Sequence, residues 1–152
     1  MTGAGFAPVH SSSWDAALEA AKAGDIDILT VIAETEQRKE HFGFTEPHTT
    51  MEWNIVTAGT GPESVSPDEL AGLKVGTIRG YAIEDWMRSN MPAVSFIPHD
   101  NHATALSALS SGQIDVLLDT FEVVQAAAMM NDMDADLQNC PCLLYTSPSP
   151  RD

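Results

Sequence analysis

The sequence predicts an α/β protein whose helices pack on a sheet of mostly parallel strands. Three observations carry that prediction. Strand-length apolar runs alternate with helical segments, the helices are punctuated by caps and glycine stops, and one helix–glycine–strand phrase occurs twice. The elements follow in chain order. Ser12 or Ser13 caps a helix over Trp14 to Ala23, rich in Ala, Leu, Glu and Lys, and Gly24 stops it. Ile26 to Ala33 is β-branched and apolar, which predicts a strand. A polar helical turn is expected over Glu34 to His41, a turn at Phe44 to Pro47, and a strand over Met51 to Thr57. Ala58 to Val65 carries Gly and Pro and reads as a linker.

Ser66-Pro67-Asp68-Glu69 has the form of a capping box with proline at the first helical position, so a short helix runs from there to Gly72. Val75 to Arg79 is the next strand, and Gly80 permits a tight exit into a helix over Ala82 to Ser89. Val94 to Pro98 is a strand. Asp100 or Asn101 then caps a helix over His102 to Ser111 that Gly112 ends. Ile114 to Leu118 is an apolar strand, and Thr120 caps a last helix over Phe121 to about Met130.

The repeated phrase is Ala17 to Leu29, ALEAAKAGDIDIL, and Ala105 to Leu117, ALSALSSGQIDVL. Both fit A-L-x-A-x-x-x-G-x-I-D-[IV]-L. One such repeat, spaced by a lobe rather than by a solenoid period, suggests two similar α/β lobes with a cleft between them. Ligands of open α/β sheets bind beyond the carboxyl ends of strands. The candidate segments are therefore Thr30 to Arg38, Arg79 to Ala82, and Asp119-Thr120.

Charge narrows the function. The chain has 152 residues, with Lys+Arg 7 against Asp+Glu 22 and a formal net charge of −15. That excess of acid argues against nucleic-acid binding and against docking on an anionic membrane. Apolar content of 43% is ordinary for a globular protein. No apolar run reaches the roughly 18–20 residues of a membrane span, and Met1 to His10 has no secretory pattern. Cys142 to Asp152, CLLYTSPSPRD, reads codon for codon as the in-frame translation of a transposon-type sequencing adapter. It is set aside from fold reasoning, and the chain is expected to be a fragment of a longer reading frame. With Cys142 set aside, Cys140 alone supports no disulfide or thiolate site.

The ordered motifs resemble the family 3 solute-binding proteins, the cleft-closing periplasmic amino-acid receptors. They are Ser13-Trp14-Asp15-Ala16, Gly24-x-Ile26-Asp27, Thr35-x-x-Arg38, Phe44-Thr45-x-Pro47, Leu70-Ala71-Gly72-x-Lys74-Val75-Gly76, Gly80-Tyr81-Ala82, and Ala105-Leu106 through Ile114-Asp115. The resemblance implies a two-lobed fold with a partial first lobe over 1–57, a nearly complete second lobe over 58–128, and the start of a return segment over 129–141. It implies a small-molecule solute, a periplasmic or extracytoplasmic location, no cofactor, and delivery to a membrane transporter or to a fused sensor kinase or cyclase. The enzyme alternative on this fold is a dehydratase-like or lytic transglycosylase-associated domain.

The resemblance also assigns residues. Arg38 fixes the ligand carboxylate, and a guanidinium fork suits that role; the alternative is an ion pair with Glu34. Trp14 packs on the ligand, or is a core residue at a helix start. Gly80, Tyr81 and Ala82 offer backbone N–H groups to an anion, or form a plain turn. Two positions depart from the pattern. Ala33 stands where a hydroxyl residue is usual, and Asp119 stands one position before the usual acid, where Thr120 lies. In a strand, that offset reverses the side chain. A carboxylate grip is retained and an ammonium grip blurred, so the expected solute is a small carboxylate, an amino acid or an organic acid, with the departures weighing against a standard α-amino acid and toward an organic acid or no tight ligand. His99, Asp100 and His102 read as solvated polar residues rather than metal ligands, and His41, His48 and Met129-Met130 carry no site.

Overall fold

The computed structural model describes residues 3, 5–59, 61–62, 64–133 and 136–140. Cys142 to Asp152, the adapter-like segment, lies outside the described residues, as does the Cys142 half of the Cys-Pro-Cys sequence.

The local capping rules hold. Helix α1 (Trp14–Ala23) starts where the Ser13 hydroxyl accepts the Ala16 N–H at 3.1 Å, and it closes on Gly24 at φ 84°. Helix α2 (Glu36–Lys39) is a single turn capped by the Thr35 hydroxyl. Strand β1 (Asn54–Ala58) leads to a 3₁₀ turn (Pro67–Gly72) at the expected capping box, where Glu69 Oε2 accepts from the Ser66 N–H at 2.7 Å and the Ser66 hydroxyl at 2.8 Å. Then follow β2 (Val75–Ile78), α3 (Ala82–Asn90), β3 (Phe96–His99), α4 (His102–Ser110), β4 (Val116–Asp119), α5 (Phe121–Met130) and β5 (Leu137–Cys140). Asn101 caps α4, its side-chain oxygen accepting the Thr104 N–H at 3.0 Å.

The strands form one sheet in the order β3-β2-β4-β1-β5. β2 is parallel to β3 and to β4, as helical crossovers require. β1 is antiparallel to both β4 and β5, so the sheet is mixed rather than mostly parallel. Asn54–Ala58, expected at the end of the first lobe, and Leu137–Cys140, expected on a return path, thus share a sheet with β2 to β4.

Side-chain alternation divides the core between the two faces. Ile55, Val75, Val116 and Leu118 pack with Leu70, Ile83 and Met87 on one face. Val56, Ile78 and Leu117 pack with Leu106, Leu109, Ile114 and Val124 on the other. Helices therefore cover both sides, the layering of an α/β fold. Gly76 marks the tightest contact, because a Cβ there would strike Ile114 Cδ1.

The expected strand over Ile26 to Ala33 does not form. Among the described residues this segment is irregular, and Ile28 and Val31 are 59% and 46% exposed. A strand needs a neighbour to take its N–H and C=O groups, and none of β1 to β5 pairs with it. The repeat is thus structural only in its helix–glycine half. In the second copy the strand is pinned from outside: Lys74 N–H donates to Asp115 Oδ2 at 2.8 Å, and Asp115 N–H donates to Lys74 O at 2.8 Å.

Candidate functional site

Parallel neighbours end side by side, so the carboxyl ends of β2 and β4 bring Gly80-Tyr81 next to Asp119-Thr120. The start of α4 adds His102. The start of α1 and the turn α2 lie against this edge and add Trp14, Asp15 and Arg38.

Arg38 points inward. It is 7% exposed, with Nη1 donating to Ala33 O and Nη2 donating to Gly80 O, each at 2.8 Å. Its two bonds join the irregular segment to the sheet edge. The expected alternative, a pair with Glu34, does not occur, since Lys39 takes both Glu34 at 2.9 Å and Glu36 at 2.7 Å. Burial lowers the pKa of the guanidinium, and Asp85 partly offsets this through space. Among the described residues Arg38 forms no ion pair.

Gly80 takes φ 75°, a left-handed conformation that turns its carbonyl to Arg38. Two of the backbone donors expected to face an anion are already used: Gly80 N–H donates to Glu84 Oε2 at 3.3 Å, and Tyr81 N–H donates to Ile78 O at 3.1 Å. The Glu84 carboxylate, buried in the first turn of α3, also accepts the Thr77 hydroxyl at 2.9 Å. The Ala82 N–H, at the first position of α3, belongs to the donors that a helix leaves without an internal partner.

An aromatic row borders the edge. Trp14 meets Tyr81 edge to face at 6.1 Å and 86°, and Tyr81 meets His102 at 6.0 Å and 65°. Burial, then Asp119, raises the pKa of the Tyr81 phenol, which stays protonated. Asp119 is 2% exposed. Its Oδ2 lies 2.8 Å from His102 Nε2, and its Oδ1 accepts the Thr120 N–H at 2.7 Å. Thr120 is buried, and its hydroxyl has no partner among the described residues.

Of the residues expected from sequence, Trp14, Arg38, Gly80, Tyr81, Ala82, Asp119 and Thr120 gather at this edge. Ala33 contributes only its carbonyl. Thr30 does not join them. It is exposed and lines a separate cavity of about 520 Å³ with Ile28, Val31, Phe42, Phe44 and Met51. That cavity is built on the irregular segment and is lined by none of the charged groups of the strand ends. Sequence reasoning missed the partnership of His102 with Asp119 and the filling of the turn by Glu84. The start of α4 follows β3, which is parallel to β2, so His102 was bound to the same edge once that pairing was known. No group of three or more His, Cys, Asp or Glu suited to a metal occurs among the described residues. No described helix is long and apolar enough to cross a membrane.

No known family profile matches the chain. The L-cystine-binding protein TcyJ of Escherichia coli K12 is 27% identical over 129 residues, covering 83% of this chain and 48% of that protein. The ABC transporter glutamine-binding protein GlnH of Bacillus subtilis is 31% identical over 96 residues, covering 62% and 35%. Among solved structures, an ancestral arginine-binding protein bound to glutamine superposes with TM-score 0.74 at 25% identity, covering 91% of this chain and 61% of that one. A histidine kinase sensor domain similar to periplasmic binding proteins gives TM-score 0.77 at 22% identity, covering 88% and 58%. The chain spans about half the length of TcyJ and about a third of GlnH. Its α/β architecture is that of the periplasmic-binding-protein-like fold, and its sequence is similar to bacterial amino-acid- and cystine-binding proteins.

Proposed function

We propose that the chain is part of an extracytoplasmic solute-binding protein, and that Arg38 grips the carboxylate of a small solute at the joined ends of β2 and β4. One observation carries this reading. Arg38 is buried and charged, yet among the described residues it has two carbonyls and no carboxylate. Buried charges are ordinarily paired, because desolvation is expensive without a counter-charge. An incoming carboxylate supplies that counter-charge, and the guanidinium retains further N–H groups to meet it. The Trp14–Tyr81 pair borders the same edge and offers apolar ring surface to the rest of the solute.

The bonds from Arg38 to Ala33 O and Gly80 O link two parts of the chain, so occupancy there is coupled to how they sit together. This serves either delivery to a transporter or control of a fused sensor; similarity to both kinds of protein supports the pair of uses. The test is titration calorimetry of the full chain against amino, hydroxy and dicarboxylic acids, with Arg38→Ala beside it. Removing one partner of a buried charge pair is expected to weaken binding by about 2–5 kcal/mol. Unchanged affinity in Arg38→Ala overturns the role.

A further inference from the structure

We propose that Glu84 is a positioning residue for the solute carboxylate: it fixes the Gly80 turn, and through the Gly80 carbonyl it aims Arg38. This rests on the Arg38 reading above and adds a residue that acts through others rather than on the solute. Glu84 is the third residue of α3, and an acid there ordinarily reaches back to the N–H of the capping residue. Glu69 does so in the 3₁₀ turn, where it is exposed and holds the Ser66 N–H at 2.7 Å. Glu84 reaches further. The capping residue Tyr81 gives its N–H to Ile78 O at 3.1 Å, and Glu84 Oε2 accepts from Gly80, one residue earlier, at 3.3 Å. Its Oε1 accepts the Thr77 hydroxyl of β2 at 2.9 Å. The carboxylate is 8% exposed, and burying such a group is costly unless hydrogen bonds hold it.

These bonds matter because the turn pivots on a glycine. Glycine takes positive and negative φ about equally well, so the φ of 75° at Gly80 has to be imposed by its surroundings. Two planar peptide groups meet at its Cα. The bond from Tyr81 N–H to Ile78 O anchors the following one, which carries the Gly80 carbonyl. Glu84 anchors the preceding one, which carries the Gly80 N–H. With both anchored, the Gly80 carbonyl is held where Arg38 Nη2 donates to it at 2.8 Å. Thr77 ties the Glu84 carboxylate to β2, so the sheet sets the direction of a side chain that comes from α2. The acid that acts on Arg38 through space is Asp85, not Glu84. Glu84 thus serves as a hydrogen-bond acceptor, a role that a glutamine oxygen also fills.

Calorimetry of the full chain tests this with L-alanine, L-glutamate, L-lysine, lactate and succinate, each beside its methyl ester. Glu84→Ala should lower the affinity for the acid that binds at least about tenfold and shrink its advantage over the ester. Glu84→Gln should recover most of both. Thr77→Val keeps the side-chain shape and removes one bond. It should weaken the acid about threefold to tenfold and the ester little, and it decides the matter if Glu84→Ala does not fold. Urea unfolding is read on every variant. Lower stability with the acid-to-ester ratio unchanged in the folded variants overturns the positioning role and leaves the solute-binding reading standing. Glu84→Gln as weak as Glu84→Ala overturns it too, because the carboxylate then acts by its charge, as a direct contact to a cationic solute does. Absence of binding by every acid in the parent chain overturns both.

Discussion

Gly80 is the residue on which the strand-end arrangement turns, and Gly80→Ala is expected to damage it in a calculable way. At φ 75° an L-residue pays roughly 1–2 kcal/mol of backbone strain. The new Cβ also lies 3.2 Å from Asp15 Oδ1 and 3.6 Å from Asp15 Cα. The oxygen end can swing away because Asp15 is exposed, so the strain term dominates. Two companions separate the causes. Gly24 has φ 84° with nothing within 4 Å of its Cβ position, so Gly24→Ala carries strain alone. Gly43 has neither a positive φ nor a close neighbour, so Gly43→Ala is expected to be neutral or to stabilise by about 0.4–1 kcal/mol through the unfolded chain. Urea unfolding with a shared m-value reads all three. Gly80→Ala should lose about 1–2 kcal/mol, Gly24→Ala a similar amount, and only Gly80→Ala should also weaken solute binding, because its carbonyl holds Arg38. A Gly80→Ala protein as stable as Gly43→Ala refutes the reasoning.

Three further outcomes follow from named contacts. Asp115→Ala removes the acceptor of the Lys74 N–H and is expected to cost about 1 kcal/mol in urea unfolding, with Asp115→Asn recovering part of it. Gly76→Ala forces Ile114 aside in the core and is expected to cost about 1–3 kcal/mol; a melting temperature equal to the parent's contradicts the packing described. Glu69 has its pKa lowered by the Ser66 backbone N–H and then by the Ser66 hydroxyl. Its contribution to stability is therefore present above its ordinary value of 4.5 and is lost as pH falls through the lowered folded value. Glu69→Gln should flatten that acid limb, and an identical pH profile in the two proteins contradicts the assignment.

Local chemistry was legible in the sequence, and nonlocal pairing was not. Ser13, Gly24, the Ser66–Glu69 box and Asn101 act within a few residues of themselves, so their spacing alone located α1, the 3₁₀ turn and α4. The two copies of the repeat show where that stops. Ile26 to Leu29 and Ile114 to Leu117 are near-identical in pattern, yet only the second lies in the sheet, because Lys74 and β2 stand beside it. The place of β1 between β4 and β5 likewise depends on contacts far apart in the chain. For the candidate site, the rule that ligands bind beyond strand carboxyl ends pointed to Tyr81 and Asp119, which lie side by side after β2 and β4, whereas Arg38 reaches the same edge from α2 through its bond to Gly80 O. It failed for Thr30, whose strand does not form, and it was silent on Glu84 and His102, which act by filling other groups' hydrogen bonds.

The central claim, that the buried Arg38 guanidinium awaits a carboxylate, is tested most directly by the affinity of the full chain for an acid and for its methyl ester. The ester keeps the size and removes the charge. Loss of about 2–5 kcal/mol on esterification, and no such difference in Arg38→Ala, is the expected result. Equal affinity for acid and ester in the parent chain contradicts it.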